Sequence, residues 1–180
     1  MPNPTSQPPI YVETQRVRQW WIWLLVLIGV LFVAWMFVEQ IVLGHPVGNN
    51  PAPDGFVWAV TLLIGVGMPL LVRSVNLTTE IHPDRIVIRY FPFWRRTILL
   101  RDVADCSPCE YRPILQYGGW GIRYGIGRGM CYTLYGNTGV RLNLTSGRQL
   151  LIGSQRPEEL ASAISRASGN IRSGSGPLRS

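Results

Sequence analysis

Cys106-Ser107-Pro108-Cys109 places two thiols at the spacing that zinc and redox sites use. Cys131 is the third cysteine, and His45 and His82 are the only histidines. A four-ligand zinc site would need His82 to join all three cysteines. A redox pair would need a thioredoxin-like βαβ unit, which the pattern around residues 106–109 does not offer. The expectation is three free thiols packed as small apolar groups, with no metal. Glycines at 118, 119, 121, 125, 127 and 129 invite a phosphate-loop reading. Their spacing is not a dinucleotide fingerprint, and the chain contains no lysine, which excludes a P-loop lysine and a Schiff-base lysine. The segment is instead expected to bend sharply beside Trp120, or to form a nest of backbone amides that holds one anion near Arg123 and Arg128. Glu80, Asp84, Asp102, Asp105, Glu110, Glu158 and Glu159 fall mostly at expected turns or at a helix start, where local capping explains them. Ser154 lacks the Gly-x-Ser-x-Gly elbow of a hydrolase. No catalytic residue, no cofactor and no enzymatic activity are expected.

Arginine is the remaining chemistry. The chain has 180 residues and carries 17 basic residues, all arginine, against 10 acidic ones, a net charge of +7. From residue 74 onward 14 arginines face seven acids, so this part holds the whole excess. An anionic leaflet attracts such a surface at about 1 kcal/mol per basic residue. Arg73, Arg95, Arg96, Arg123 and Arg128 are the candidate lipid or anion contacts. Arg95-Arg96 is expected at a hairpin tip beside Phe93 and Trp94, which would insert at headgroup level. The arginines are dispersed rather than clustered on one helix, which argues against nucleic acid as a partner.

Two stretches would tether that surface. Charged residues are only 15% of the chain, against about 25% in soluble domains, and the mean hydropathy is +0.14. Trp20 to Val38 is an uncharged run of 19 residues, long enough as a helix to span about 28 Å. Phe56 to Val72 is a second run, of 17 residues, reaching about 25 Å; Pro69 lies near its end, where a kink costs least. Residues 39–55 between them are rich in Gly, Pro and Asn and carry no arginine, whereas Arg16, Arg18 and Arg73 flank the spans. The positive-inside rule places both termini in the cytoplasm and the loop outside, in the cell membrane. Trp20 and Trp21 are the expected interface anchors. Gly65 and Gly67 would let the second span approach a partner helix.

From Leu77 the pattern alternates instead. Strands are expected at 77–81, 86–91, 97–100, 102–111, 131–135, 140–144 and 149–152, with 92–96 as a turn. Ser154 is the candidate N-cap of a helix over 157–167, whose Leu160, Ala163, Ile164 and Ala167 share one face. Residues 168–180 are expected to be a disordered basic tail, and residues 1–19 a cytoplasmic segment ahead of the first span.

About seven short strands closed by one helix is the order of a PH-like, partly open barrel. The chain resembles the small bacterial membrane proteins that carry two spans and then a PH-like domain. The resemblance rests on Gln19-Trp20-Trp21, on Tyr117-Gly118-Gly119-Trp120-Gly121-Ile122-Arg123, on Gly136-Asn137-x-Gly139-Val140 and on Ile152-Gly153-Ser154-Gln155-Arg156. It implies a membrane α-helical hairpin followed by a mainly β (α+β) PH-like domain over 77–167, in a family without assigned activity. The function expected is presentation of that domain for protein or self interaction, through a groove between a strand edge and the helix. The alternative is docking on anionic lipid.

Overall fold

The computed structural model describes residues 8–48, 51–125 and 129–174. The fold is mixed α and β, and the chain divides into two compact units: Val17–Val75, and Met1–Arg16 with Asn76–Ser180.

The first unit is a pair of apolar helices. α1 runs Trp20–Val42 and α2 runs Asp54–Ser74; their mean hydropathies are 2.6 and 2.1, and both are long and apolar enough to cross a membrane. Only 6% of the apolar window of each is buried, so their side chains point mainly outward. A soluble helix would bury a stripe of this character; in lipid the outward Leu, Ile and Phe side chains are already in their preferred solvent. Val33 and Val57 are the buried contacts. A Cβ added to Gly29 would lie 3.6 Å from Ile64, and one added to Gly65 would lie 3.9 Å from Val33. Gly65 therefore faces α1 of the same chain, which differs from the partner-helix role expected for it. Phe37 and Trp58 meet edge to face at 4.7 Å between centroids. Helix α1 continues past Val38, so Glu39 to Val42 are helical rather than loop.

The second unit holds two sheets. The first is an antiparallel meander, β1 (Tyr11–Arg16), β2 (Asn76–Ile81), β3 (Arg85–Phe91) and β4 (Trp94–Leu99), in that order. The second contains β5 (Val103–Glu110), β6 (Gly121–Gly125), β7 (Gly129–Thr133), β8 (Thr138–Leu144) and β9 (Gln149–Gly153), ordered β5-β8-β9-β7-β6. β7 and β9 run parallel; the other pairs are antiparallel. The short helix α3 (Pro113–Tyr117) links β5 to β6, and α4 (Pro157–Gly174) closes the unit against β5, β8 and β2. Leu77, Ile81, Ile86, Ile88 and Ile98 of the first sheet and Val140, Leu142, Leu150 and Ile152 of the second are buried, with Leu160, Ala163, Ile164 and Ala167 of α4. Fully burying each of the Leu, Ile and Val side chains among them stabilises the fold by roughly 1.5–3 kcal/mol.

Several boundaries differ from the sequence expectation. Tyr11–Arg16, read as part of a segment ahead of the span, is a strand paired residue by residue with β2. β6 adds a strand inside the glycine-rich stretch. Trp94, Arg95 and Arg96 belong to β4 rather than to a turn, because the β3–β4 connection needs only Pro92 and Phe93. α4 runs on to Gly174, past the expected Ala167, and the end of the expected tail, residues 175–180, lies outside the described residues.

Candidate functional site

The ladder registers define one end of the first sheet. Arg16 pairs with Asn76 and Asn76 with Phe91, so the β3–β4 turn sits at the end where the chain leaves β1 for α1 and returns from α2 into β2. Only Val17, Arg18 and Gln19 separate β1 from α1, and only Val75 separates α2 from β2. At this end Phe91, Phe93 and Trp94 are 55%, 61% and 55% exposed. The Phe93 amide donates to the Tyr90 carbonyl at 2.8 Å, which closes the turn. Tyr90 and Phe93 lie 6.5 Å apart between centroids. Phe93 on the turn and Phe91 and Trp94 at the strand ends beside it concentrate exposed aromatic surface at one place, unlike singly scattered apolar residues.

Strand alternation then separates the two arginines that follow. Arg95 lies on the outer face opposite Arg89, and Arg96 on the inner face opposite Ile88. Arg89 and Arg95 are like charges directly opposed, an arrangement that costs stability unless an anion intervenes. Glu80 answers one of them, its Oε2 accepting from Arg89 Nη2 at 3.3 Å. Around them lies an outer hollow of about 670 Å³, lined by Thr78, Phe91 and Trp94 among others. Arg96 instead crosses to the second sheet, where its Nη1 donates to the buried Tyr132 hydroxyl at 2.7 Å and its guanidinium sits 5.7 Å from the ring centre. The expected Arg95-Arg96 tip is thus a correction: the tip is aromatic, Arg95 flanks it, and Arg96 points inward.

The other expected contacts are distributed. Arg123 is exposed on β6, close enough to β3 that its charge opposes the upward push of burial on the Tyr90 phenol. Arg73 stands in the last turn of α2, where a cation suits the helix C-terminus, and Trp20 and Trp21 occupy the first turn of α1. Arg128 lies outside the described residues.

A model built from a protein family matches residues 3–171, from ahead of β1 into α4. The chain belongs to the family of unknown function DUF6141. The DUF6141 match runs through β1, both apolar helices and both sheets, so these parts form one family unit rather than a domain with an unrelated anchor. No curated protein matches the chain.

The other sequence motifs of this DUF6141 chain resolve into packing. Cys106 and Cys109 are three apart on one strand and so point to opposite faces. Cys106 Sγ lies 3.2 Å from Ser165 Oγ on α4, whereas Cys109 packs on the cluster of Tyr111, Tyr117, Cys131 and Leu151 beyond the sheet. Among the described residues no group of three His, Cys, Asp or Glu side chains could hold a metal. Two amides at the start of the expected anion nest already have partners: Gly118, at φ +71° as the C-cap of α3, donates to the Ile114 carbonyl, and Gly119 donates to Pro113, both at 3.0 Å; residues 126–128 of that stretch lie outside the described residues. Trp120 Nε1 donates to the Gly136 carbonyl at 2.9 Å.

The expected groove beside the helix is present, with about 900 Å³ between edge strand β5 and α4, lined by Tyr11, Pro108, Ala161 and Ser165 among others. Pro108 has no N–H to offer an incoming strand.

Sequence reasoning missed Glu13. It is 6% exposed on the inner face of β1. Its carboxylate accepts from Tyr11 Oη at 2.9 Å, Gln15 Nε2 at 3.2 Å, Ser154 Oγ at 2.5 Å and the Gln155 amide at 2.7 Å. Ser154 Oγ in turn accepts from the Arg156 amide at 3.0 Å, so the expected cap is an ST-turn just ahead of α4, locked by Glu13. Nothing local to residues 11–16 signals this role, because every cross-sheet partner lies more than 130 residues away.

Proposed function

We propose that this chain is a two-span membrane protein whose PH-like domain docks on the anionic cytoplasmic leaflet through the β3–β4 turn. The single observation carrying the reading is the register Arg16–Asn76–Phe91. A chain that leaves a ladder at Arg16 and re-enters it at the paired Asn76 crosses a bilayer an even number of times. Three residues before α1 and one after α2 are all the chain that joins this end of the sheet to the apolar helices. Phe91, Phe93 and Trp94 are then at the depth where aromatic rings settle, with Arg95 and Arg89 at the phosphate level. The arginines that flank the apolar helices support cytoplasmic termini. Two packed sheets closed by one helix support the PH-like reading, with β1 and β6 added to the strands expected. The domain carries no chemistry of its own in this reading.

The test compares full-length protein in nanodiscs of anionic phosphatidylglycerol and of neutral phosphatidylcholine by hydrogen exchange. Residues 91–95 should exchange several-fold more slowly in the anionic discs, and 0.5 M salt should remove most of the difference, since screening shortens the Debye length to under about 5 Å. Equal exchange in both discs overturns docking.

A second reading, presentation to a protein partner or to another copy, is favoured by the groove between β5 and α4. Pro108 weighs against strand addition there, so a partner would have to use side-chain contacts with Ala161 and Ser165.

A further inference from the structure

The inner side of β4 opens onto a separate cleft of about 660 Å³, walled by β4 on one side and by β7, β9 and the β8–β9 turn on the other. That size suits a small organic ligand. Its deepest charged group is Arg96. The hydrogen bond to the fully buried Tyr132 fixes the guanidinium fork, but a neutral phenol leaves its charge uncompensated. Among the described residues no carboxylate lies within ion-pair distance of Arg96, and no acidic side chain lines the cleft. Arg148, exposed in the β8–β9 turn, adds a second cation to the wall. Two arginines facing one cleft with no acid between them repel each other until an anion arrives. An arginine already held in place loses little freedom when it binds that anion.

The remaining walls are mostly apolar and aromatic, with Gln149 the one further polar side chain on the β9 wall. Leu150 and Met130 line the interior, and Trp94 and Tyr124 stand at the rim, 55% and 70% exposed. Gly129 lets β7 start close against the β9 backbone at one wall of the cleft: its φ is +76°, and a Cβ there would collide with the Gln149 carbonyl.

We infer that this cleft binds a phosphate monoester, its dianionic phosphoryl group seated between Arg96 and Arg148 and its planar or apolar body between Trp94 and Tyr124. Two cations without an acid match a group of charge near −2, and a planar fork suits its oxygens. The cleft lies on the inner side of β4 and the hollow on its outer side, and Trp94 is the one residue that borders both. The ester has two sources, a soluble aryl phosphate or the headgroup of a lipid such as phosphatidic acid.

The experiment uses full-length protein in a non-ionic detergent, where no anionic bilayer is present, with 1-naphthyl phosphate as the calorimetric probe. Saturable one-to-one binding is expected, with inorganic phosphate at least about ten-fold weaker because it lacks the body. Arg96→Gln should weaken the ester about ten-fold or more. Arg148→Gln, at an exposed position that leaves folding intact, should weaken it about three-fold and keeps the test valid if the first variant unfolds. Short-chain phosphatidic acid added to the micelles either competes with the probe, which identifies the lipid source, or leaves it bound, which identifies a soluble one. No saturable binding, binding unchanged by Arg148→Gln, or inorganic phosphate binding as tightly as the ester overturns the assignment.

Discussion

On the inner face of the first sheet Glu13 accepts four hydrogen bonds, two from β1 and two from the β9–α4 connection, and Arg96 is fixed to Tyr132; on the outer face Arg95 and Arg89 stand opposed and exposed. Arg95 and Arg96 are neighbours on one strand and carry the same charge. What differs is water. An inward charge that finds its partners within the fold becomes a structural tie, as Glu13 does, and one held in place without a counter-charge becomes a preorganised site, as Arg96 does. An outward charge is solvated, contributes little to folding, and is available to a surface. The aromatics of the β3–β4 turn follow the same division, since they have no cover of their own.

The largest test of this contrast is Glu13→Ala. It strips the Ser154 hydroxyl and the Gln155 amide of their acceptor at the start of α4, so thermal unfolding of the full chain in detergent should show a loss of roughly 2–4 kcal/mol. A loss no larger than that of Thr14→Ala, one residue away on the outer face, would break the contrast.

A second effect comes from neutral groups that burial keeps neutral. Burial pushes the Cys131 thiol up from 9.0 to about 12. Burial first, and then the neighbouring Glu13 carboxylate, push the Tyr11 phenol up from 10.0 to about 12. The unfolded chain sheds these protons above about pH 9 while the folded chain retains them, so protonation favours the fold. Stability should be full below pH 9 and fall as pH rises toward 12, read as a declining melting temperature across pH 8–11. Cys131→Ala should flatten part of that decline; an unchanged slope would remove the thiol from the account.

The smallest effect belongs to the outer face. Arg95→Gln should change folding stability by no more than about 0.5 kcal/mol, and in the stabilising direction, because it relieves the opposition with Arg89. The same variant should lessen the slow exchange of residues 91–95 in anionic nanodiscs. A destabilisation comparable to Glu13→Ala would mean that the outer face also carries structural charge.

The sequence by itself determined what depends on near neighbours. Continuous apolar runs declare two helices that suit a bilayer, because length and hydropathy are properties of the run alone. Alternation declared most of the strands, and Leu160, Ala163, Ile164 and Ala167 declared the buried face of α4. Phe93, Trp94 and Arg95 were legible as an exposed cluster for the same reason. The tertiary structure alone decided β1, whose inward residues are Tyr11, Glu13 and Gln15 rather than apolar ones and whose ladder partner lies beyond both helices. It likewise decided β6, whose glycine ends read as a break in pattern, and the inward turn of Arg96. In each case the deciding partner is brought across from distant sequence: Ser154 and Gln155 for Glu13, β7 for β6, Tyr132 for Arg96. A polar side chain declares its role only when its hydrogen-bonding partner is known, and that partner is a property of the fold.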